Sequence, residues 1–125
     1  MRKENVGVSA KRRYTNRKRS GFMQQLQSIE QFEQLKNEKT MFVFSADWCP
    51  DCTFIDPFMP EIEEKFSAFT FVKVDRDDFI NVCASLDVFG IPSFVAFDGG
   101  EEIGRYVNRD RKTQKQIETF IEKLV

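Results

Sequence analysis

The 125-residue sequence contains no histidine. That absence removes any hydrolase built on a cysteine nucleophile and an imidazole base, and it leaves structural zinc short of its usual nitrogen donors. Cysteine is scarce and odd in number, three in all, which argues against a framework of structural disulfides and fits a reducing compartment. No apolar run reaches the length of a secretory signal or a membrane span, so the default expectation is a soluble, cytoplasmic protein with no membrane contact.

What the chain does contain is apolar bulk. Residues of apolar type make up 41% of it and 14 are phenylalanine, ample for one buried core in a single domain of this length. Charge is unevenly spread. Residues 1–22 carry Arg2, Lys3, Lys11, Arg12, Arg13, Arg17, Lys18 and Arg19 against Glu4, a net +7, whereas the remainder carries −8. Such a basic, apolar-poor leader has no hydrophobic face to bury and is expected to be largely disordered. It fits a polyelectrolyte tail for nucleic acid or an anionic membrane, an organellar transit peptide, or a dispensable or artefactual extension before a start at Met23. The last is the preferred reading, so nucleic acid is not an expected partner. The globular domain is assigned to residues 23–125 and is expected to be a monomer.

From Met23 onward, strand-like and helix-like pieces alternate. QQLQ is a short strand, and SIEQFEQLKNEK a helix with Ser28 as N-cap, Gln31 at capping-box spacing, and Ile29, Phe32 and Leu35 directed inward. MFVFSA reads as a strand covered on both faces. CTFIDPFMPEIEEKF repeats apolar residues at helical spacing, with a kink predicted at Pro57. FTFVKVD is a strand and DDFINVCASLDV a short helix, in which Cys83, flanked by Ile80 and Leu86 on an inward stripe, is a buried free thiol. IPSFVAFDGGEEIGRYVN is a hairpin turning at Asp98, Gly99 and Gly100. TQKQIETFIEKLV closes the chain as an amphipathic helix with Ile117, Phe120, Ile121 and Leu124 inward. The order βαβαβαββα implies an α/β fold: a central mixed β-sheet flanked by helices, with helical crossovers joining parallel strands and an antiparallel final hairpin.

The stretch WCPDC, Trp48 to Cys52, places two thiols three positions apart beside the only tryptophan. Such a pair exchanges electrons, holds a metal, or packs. A metal would need further ligands, and only Cys83 remains, so no metal site is expected. At a strand-to-helix junction the open backbone donors and the positive end of the helix dipole favour thiolate over thiol, which marks Cys49 as the nucleophile. Cys52, one turn further and less exposed, is placed to resolve a mixed disulfide in an intramolecular step.

ADWCPDC after an apolar strand, Pro57 five residues past the second cysteine, GIPSFVAF about forty residues later and a GE-containing hairpin before a terminal helix resemble the thioredoxin family in order across residues 23–125. The resemblance implies a thioredoxin fold and a thiol–disulfide oxidoreductase, a protein-disulfide reductase that needs no bound cofactor. It implies Cys49 as attacking thiol, Cys52 as resolving thiol, and Trp48 as the indole beside the site. Ile91 and Pro92 match the step where a cis-proline lies against the disulfide and the preceding backbone pairs with substrate, and Gly100 matches the hairpin glycine. The expected partners are disulfide-containing proteins or low-molecular-weight disulfides, with a flavin-containing thioredoxin reductase as electron donor. The alternative is a non-enzymatic adaptor that uses the surface of the fold or the basic leader.

Three departures from the family pattern bear on the chemistry. Pro50 and Asp51 replace the common Gly-Pro between the cysteines, and Asp51 is expected to oppose thiolate formation at Cys49 while also suiting the first turn of a helix. Val43 stands where a buried aspartate is common, and Phe71 is matched to the lysine that partners it. The proton of Cys52 must then go to water, Asp47 or Asp51. Asn108 replaces a late glycine, as the non-glycine residue most tolerant of left-handed backbone.

Overall fold

The computed structural model describes residues 23–125; the expectations for the basic leader lie outside the described residues. Five strands, β1 (Gln24–Gln25), β2 (Thr40–Ser45), β3 (Thr70–Asp75), β4 (Ser93–Asp98) and β5 (Glu101–Tyr106), form one mixed sheet in the order β1-β3-β2-β4-β5. The helices are α1 (Ile29–Leu35), α2 (Pro50–Ile55), α3 (Met59–Lys65), α4 (Ile80–Ser85) and α5 (Gln114–Glu122). β1 and β2 run parallel to β3, whereas β4 is antiparallel to β2 and β5 to β4.

One expected rule of connection fails at β3 to β4, where a helical crossover joins antiparallel strands. Ser93, the first residue of β4, lies opposite Phe44, next to the Ser45–Asp75 pair where β3 stops, so the chain re-enters the sheet at that same end and runs the opposite way.

All six residues of β2 are buried, as a continuous apolar run in a sheet covered on both faces requires. Successive side chains point to opposite faces, and this alternation sorts the core into two layers. Met41, Val43, Phe94 and Ala96 face Ile55, Met59 and Ile62 from α2 and α3 and Ile117 and Ile121 from α5. Phe42, Phe44, Val72, Val74, Val95 and Phe97 face Phe32 and Leu35 of α1 and Val82 and Cys83 of α4. Cys83 is thus a small apolar core residue in the layer away from α2, as expected.

Two inward assignments are corrected. Ile29 and Ile80 are each 48% exposed. A spacing of three drifts back by about 60° per step around a helix, so in these short helices the first residue of each triplet falls off the buried stripe. The capping residues act as expected: Ser28 Oγ accepts from Gln31 N at 3.0 Å, although the Gln31 side chain reaches back to Gln27 N rather than to Ser28 N. Thr113 and Gln116 form a complete reciprocal cap on α5. Pro57 ends α2 in a 3₁₀ turn over Asp56–Phe58 before α3 begins, as its missing donor dictates. Gly99 and Gly100 supply the two positive φ angles, 63° and 89°, that turn β4 into β5.

Candidate active site at the head of α2

Cys49 is the N-cap of α2. Its backbone is extended and its Sγ accepts from Cys52 N at 3.2 Å, while Cys49 O accepts from Thr53 N at 3.1 Å. Pro50 sits at the first helical position, where no N–H is needed and the ring's fixed φ suits the helix. The first turn therefore leaves a sulfur where capping residues usually present an oxygen. The two thiols are buried to different depths, Cys49 at 6% and Cys52 at 1% exposure, in a small cluster with Ala46 and Ile91.

Burial, followed by the hydrogen bond to Cys49, pushes the Cys52 thiol from an ordinary 9.0 up to about 12, against smaller opposing contributions from Ser45 and the Ala46 backbone. Cys52 therefore holds its proton at neutral pH in the reduced protein. Because the folded pKa is raised, this group's stabilisation is complete below about pH 9 and is lost as pH rises through about 12. The oxidised protein has no Cys52 proton to lose. The denaturation midpoint of the reduced form is expected to fall relative to that of the oxidised form across this window, and parallel midpoints would contradict the assignment.

Trp48 stands at the rim, 59% exposed, with Nε1 donating to Asp77 Oδ2 at 2.7 Å and Arg76 over its ring. Ile91-Pro92 is a cis peptide, and Ile91 packs on the thiol cluster. Asp51, read from the sequence as a lone carboxylate between the thiols, is paired: Arg111 Nε donates to its Oδ1 at 2.8 Å. That guanidinium also lies 4.3 Å from the Phe54 ring centroid, so one arginine covers both an acid and an aromatic side chain of α2.

The strand register gives the neighbours of the positions that depart from the family pattern: Val43 pairs with Lys73, and Phe71 pairs with Met41. Basic charge therefore does lie beside Val43, and it meets a carboxylate from just past α2, Lys73 Nζ to Asp56 Oδ1 at 3.5 Å. Asn108 is not left-handed; among the described non-glycine residues only Asp87 has a positive φ. The Asn108 side chain instead accepts from Lys112 Nζ at 2.8 Å and from Asp110 N at 3.0 Å. Sequence reasoning missed Arg111, Lys112 and Ser45. Only the charge density of NRDRK, just before a cleanly capped helix, hinted at the first two.

A helix-capping cysteine backed by a second, deeper thiol defines the class of thiol–disulfide oxidoreductases. The family model described as thioredoxin matches residues 22–123, and the chain belongs to the thioredoxin family. It is 33% identical to thioredoxin of Bos taurus over 107 residues, covering 82% of this chain and 99% of that protein. It is 38% identical to thioredoxin H2-1 of Oryza sativa subsp. japonica over 78 residues, 62% of this chain, where it spans only 56% of the relative's length. A solved thioredoxin from Trypanosoma brucei brucei superposes with a TM-score of 0.74 at 24% identity, covering 88% of this chain and 96% of that one. These relatives give the adaptor reading no support.

Proposed function

We propose that the protein reduces disulfides of proteins or small molecules through the Cys49/Cys52 dithiol. The observation that carries this is the unequal burial of two adjoining thiols at one helix head. The thiolate of Cys49 attacks one sulfur of the substrate disulfide, forming a mixed disulfide and releasing the first substrate thiolate. Cys52 then loses its proton and attacks Cys49 Sγ, the mixed disulfide breaks, and the second substrate thiolate leaves and is protonated by water. Two electrons pass to the substrate and the protein is left as the Cys49–Cys52 disulfide. A thioredoxin reductase returns the electrons.

Trp48 and the Ile91-Pro92 step flank the thiols and form the surface on which the substrate backbone docks. Pro50 and Asp51 tune the pair through the first helical turn. No helix among the described residues is long and apolar enough to cross a membrane. One relative is mitochondrial thioredoxin-2 of Schizosaccharomyces pombe, and the same dithiol chemistry serves in the cytoplasm or in an organelle. Insulin reduction tests the reading: the wild-type protein is expected to precipitate insulin chains in the presence of a reductant, and Cys49→Ser to do no better than reductant alone. Equal rates for the two would end it.

A further inference from the structure

Among the described residues β5 pairs only with β4 and so forms one edge of the sheet. Beside it α5 runs in the opposite direction: Tyr106 packs on Phe120 with ring centroids 5.6 Å apart, and a Cβ on Gly104 would meet Leu124 Cδ2 at 2.6 Å. Two strand residues and four helical residues each advance about 6 to 7 Å, so the two elements stay side by side over this length. An open groove of about 580 Å³ is lined from both. The Tyr106 and Phe120 rings, Thr119, and the cationic side chains of Arg105, Lys115 and Lys123 contribute to it, and no carboxylate residue does.

That polarity runs against the rest of the domain, where 19 acidic residues face 11 basic ones. Arg105 is already engaged by Glu102 and by Leu86 O. Lys115 and Lys123 are not: among the described residues, no carboxylate lies within ion-pair distance of either. They stand eight positions apart, about 12 Å along the helix axis, with Phe120 between them. The acids of β5, Glu101 and Glu102, sit at the other end of the strand and line no part of the groove. An open edge strand recruits another strand unless charge or shape refuses it. Here the two lysines refuse a basic segment, including this chain's own leader of net +7, and accept an acidic one.

We propose that this groove binds an acidic segment of a partner protein in extended form, added to the sheet as a further strand on β5. Side chains alternate between the two faces of a strand, so those at i, i+2 and i+4 of the segment all face α5. Positions i and i+4 are about 13 Å apart, close to the spacing of the two lysines. The segment therefore carries carboxylates at i and i+4 and an apolar side chain at i+2, over the Tyr106 and Phe120 rings. Backbone pairing with β5 supplies affinity, and Lys115 and Lys123 select the sequence. Tyr106 pairs with Phe94, two positions beyond Pro92, so a partner held here stays close to the dithiol face without occupying it. The binding does not depend on the dithiol-reductase reading.

The experiment titrates a fluorescent, cysteine-free peptide with the full reduced chain at low ionic strength and follows anisotropy. The peptide has two glutamates four positions apart, a phenylalanine midway and threonine elsewhere. Saturable binding is expected, and a peptide with lysine in place of glutamate is expected to show none. The double variant Lys115→Gln, Lys123→Gln loses two exposed ion pairs and is expected to bind roughly tenfold more weakly. Both side chains are exposed, so the fold is not at risk. The double variant Lys36→Gln, Lys39→Gln, which changes net charge equally outside the groove, is expected to keep the wild-type affinity. Of two peptides N-methylated on alternate residues, odd or even, one is expected to lose binding because its donors face β5. Equal binding of the glutamate and lysine peptides, no loss in the Lys115, Lys123 variant, or full binding by both methylated peptides would overturn the proposal. Loss of binding in Cys49→Ser would place the peptide at the thiols and overturn it too. So would dimerisation abolished by the Lys115 and Lys123 substitutions, since a second copy would then fill the groove.

Discussion

Replacing Cys52 with serine is expected to turn the protein into a covalent trap. Cys49 still caps α2, remains the more exposed of the two thiol positions and still attacks a substrate disulfide. With no second thiol, the mixed disulfide then waits for an external reductant. A positioned intramolecular nucleophile corresponds to effective concentrations on the order of 10⁵ M or more, far above the millimolar thiol of an assay. Multiple-turnover reduction should therefore fall on the order of a thousandfold or more, while single-turnover capture stays near the wild-type rate.

Serine is close to cysteine in volume, so the site should not collapse. The added cost is a more polar group at a position only 1% exposed, beside Ser45, which offers a hydrogen-bond partner. Intact mass measured after mixing with a disulfide-bonded substrate should show one adduct per chain, released by reductant and absent from the Cys49→Ser protein. Steady turnover by Cys52→Ser, with no adduct, would mean that Cys52 is not the resolving thiol.

Much of this was legible in the residues. An apolar run such as MFVFSA is a central strand because only a sheet covered on both faces buries every residue of β2, and the CxxC at its exit lands at a helix head for the same local reasons. Serine and threonine caps were legible because they satisfy donors within three residues of themselves. The electrostatic surroundings of the thiols were not legible, because they are assembled over distance. Asp51 reads as a free acid until a loop sixty positions later delivers Arg111. The residue beside Val43 depends on a strand register that composition does not fix, which is why the neighbouring Lys73 was not foreseen. Lys112 illustrates the strongest limit: in a run of charged residues a lysine reads as solvated surface, yet its neighbour's contacts with α2 turn it inward.

That same loop makes Gly90 one of the least replaceable residues near the site. A Cβ built on Gly90 would lie 2.5 Å from both the carbonyl carbon and oxygen of Asn108 and 2.8 Å from Arg109 N. All three are backbone atoms, so no side chain can swing aside, and the 108–109 segment or the strand entry at Ile91-Pro92 must move. Gly104 offers the contrast: its Cβ would meet Leu124 Cδ2 at 2.6 Å, but that is the tip of a flexible, half-buried side chain near the chain end. Gly90→Ala is therefore expected to cost about 3 kcal/mol, the upper range for overpacking, and Gly104→Ala about 1 kcal/mol or less. Denaturant titration should show a lowered midpoint for Gly90→Ala at unchanged slope. Because Gly90 directly precedes Ile91, which packs on the thiol cluster, and Ser93 Oγ donates to Gly90 O at 2.6 Å, the loss should extend to disulfide reduction under conditions where the variant remains folded. A Gly90→Ala protein as stable and as fast as wild type would show that this loop can retreat from α2 at no cost.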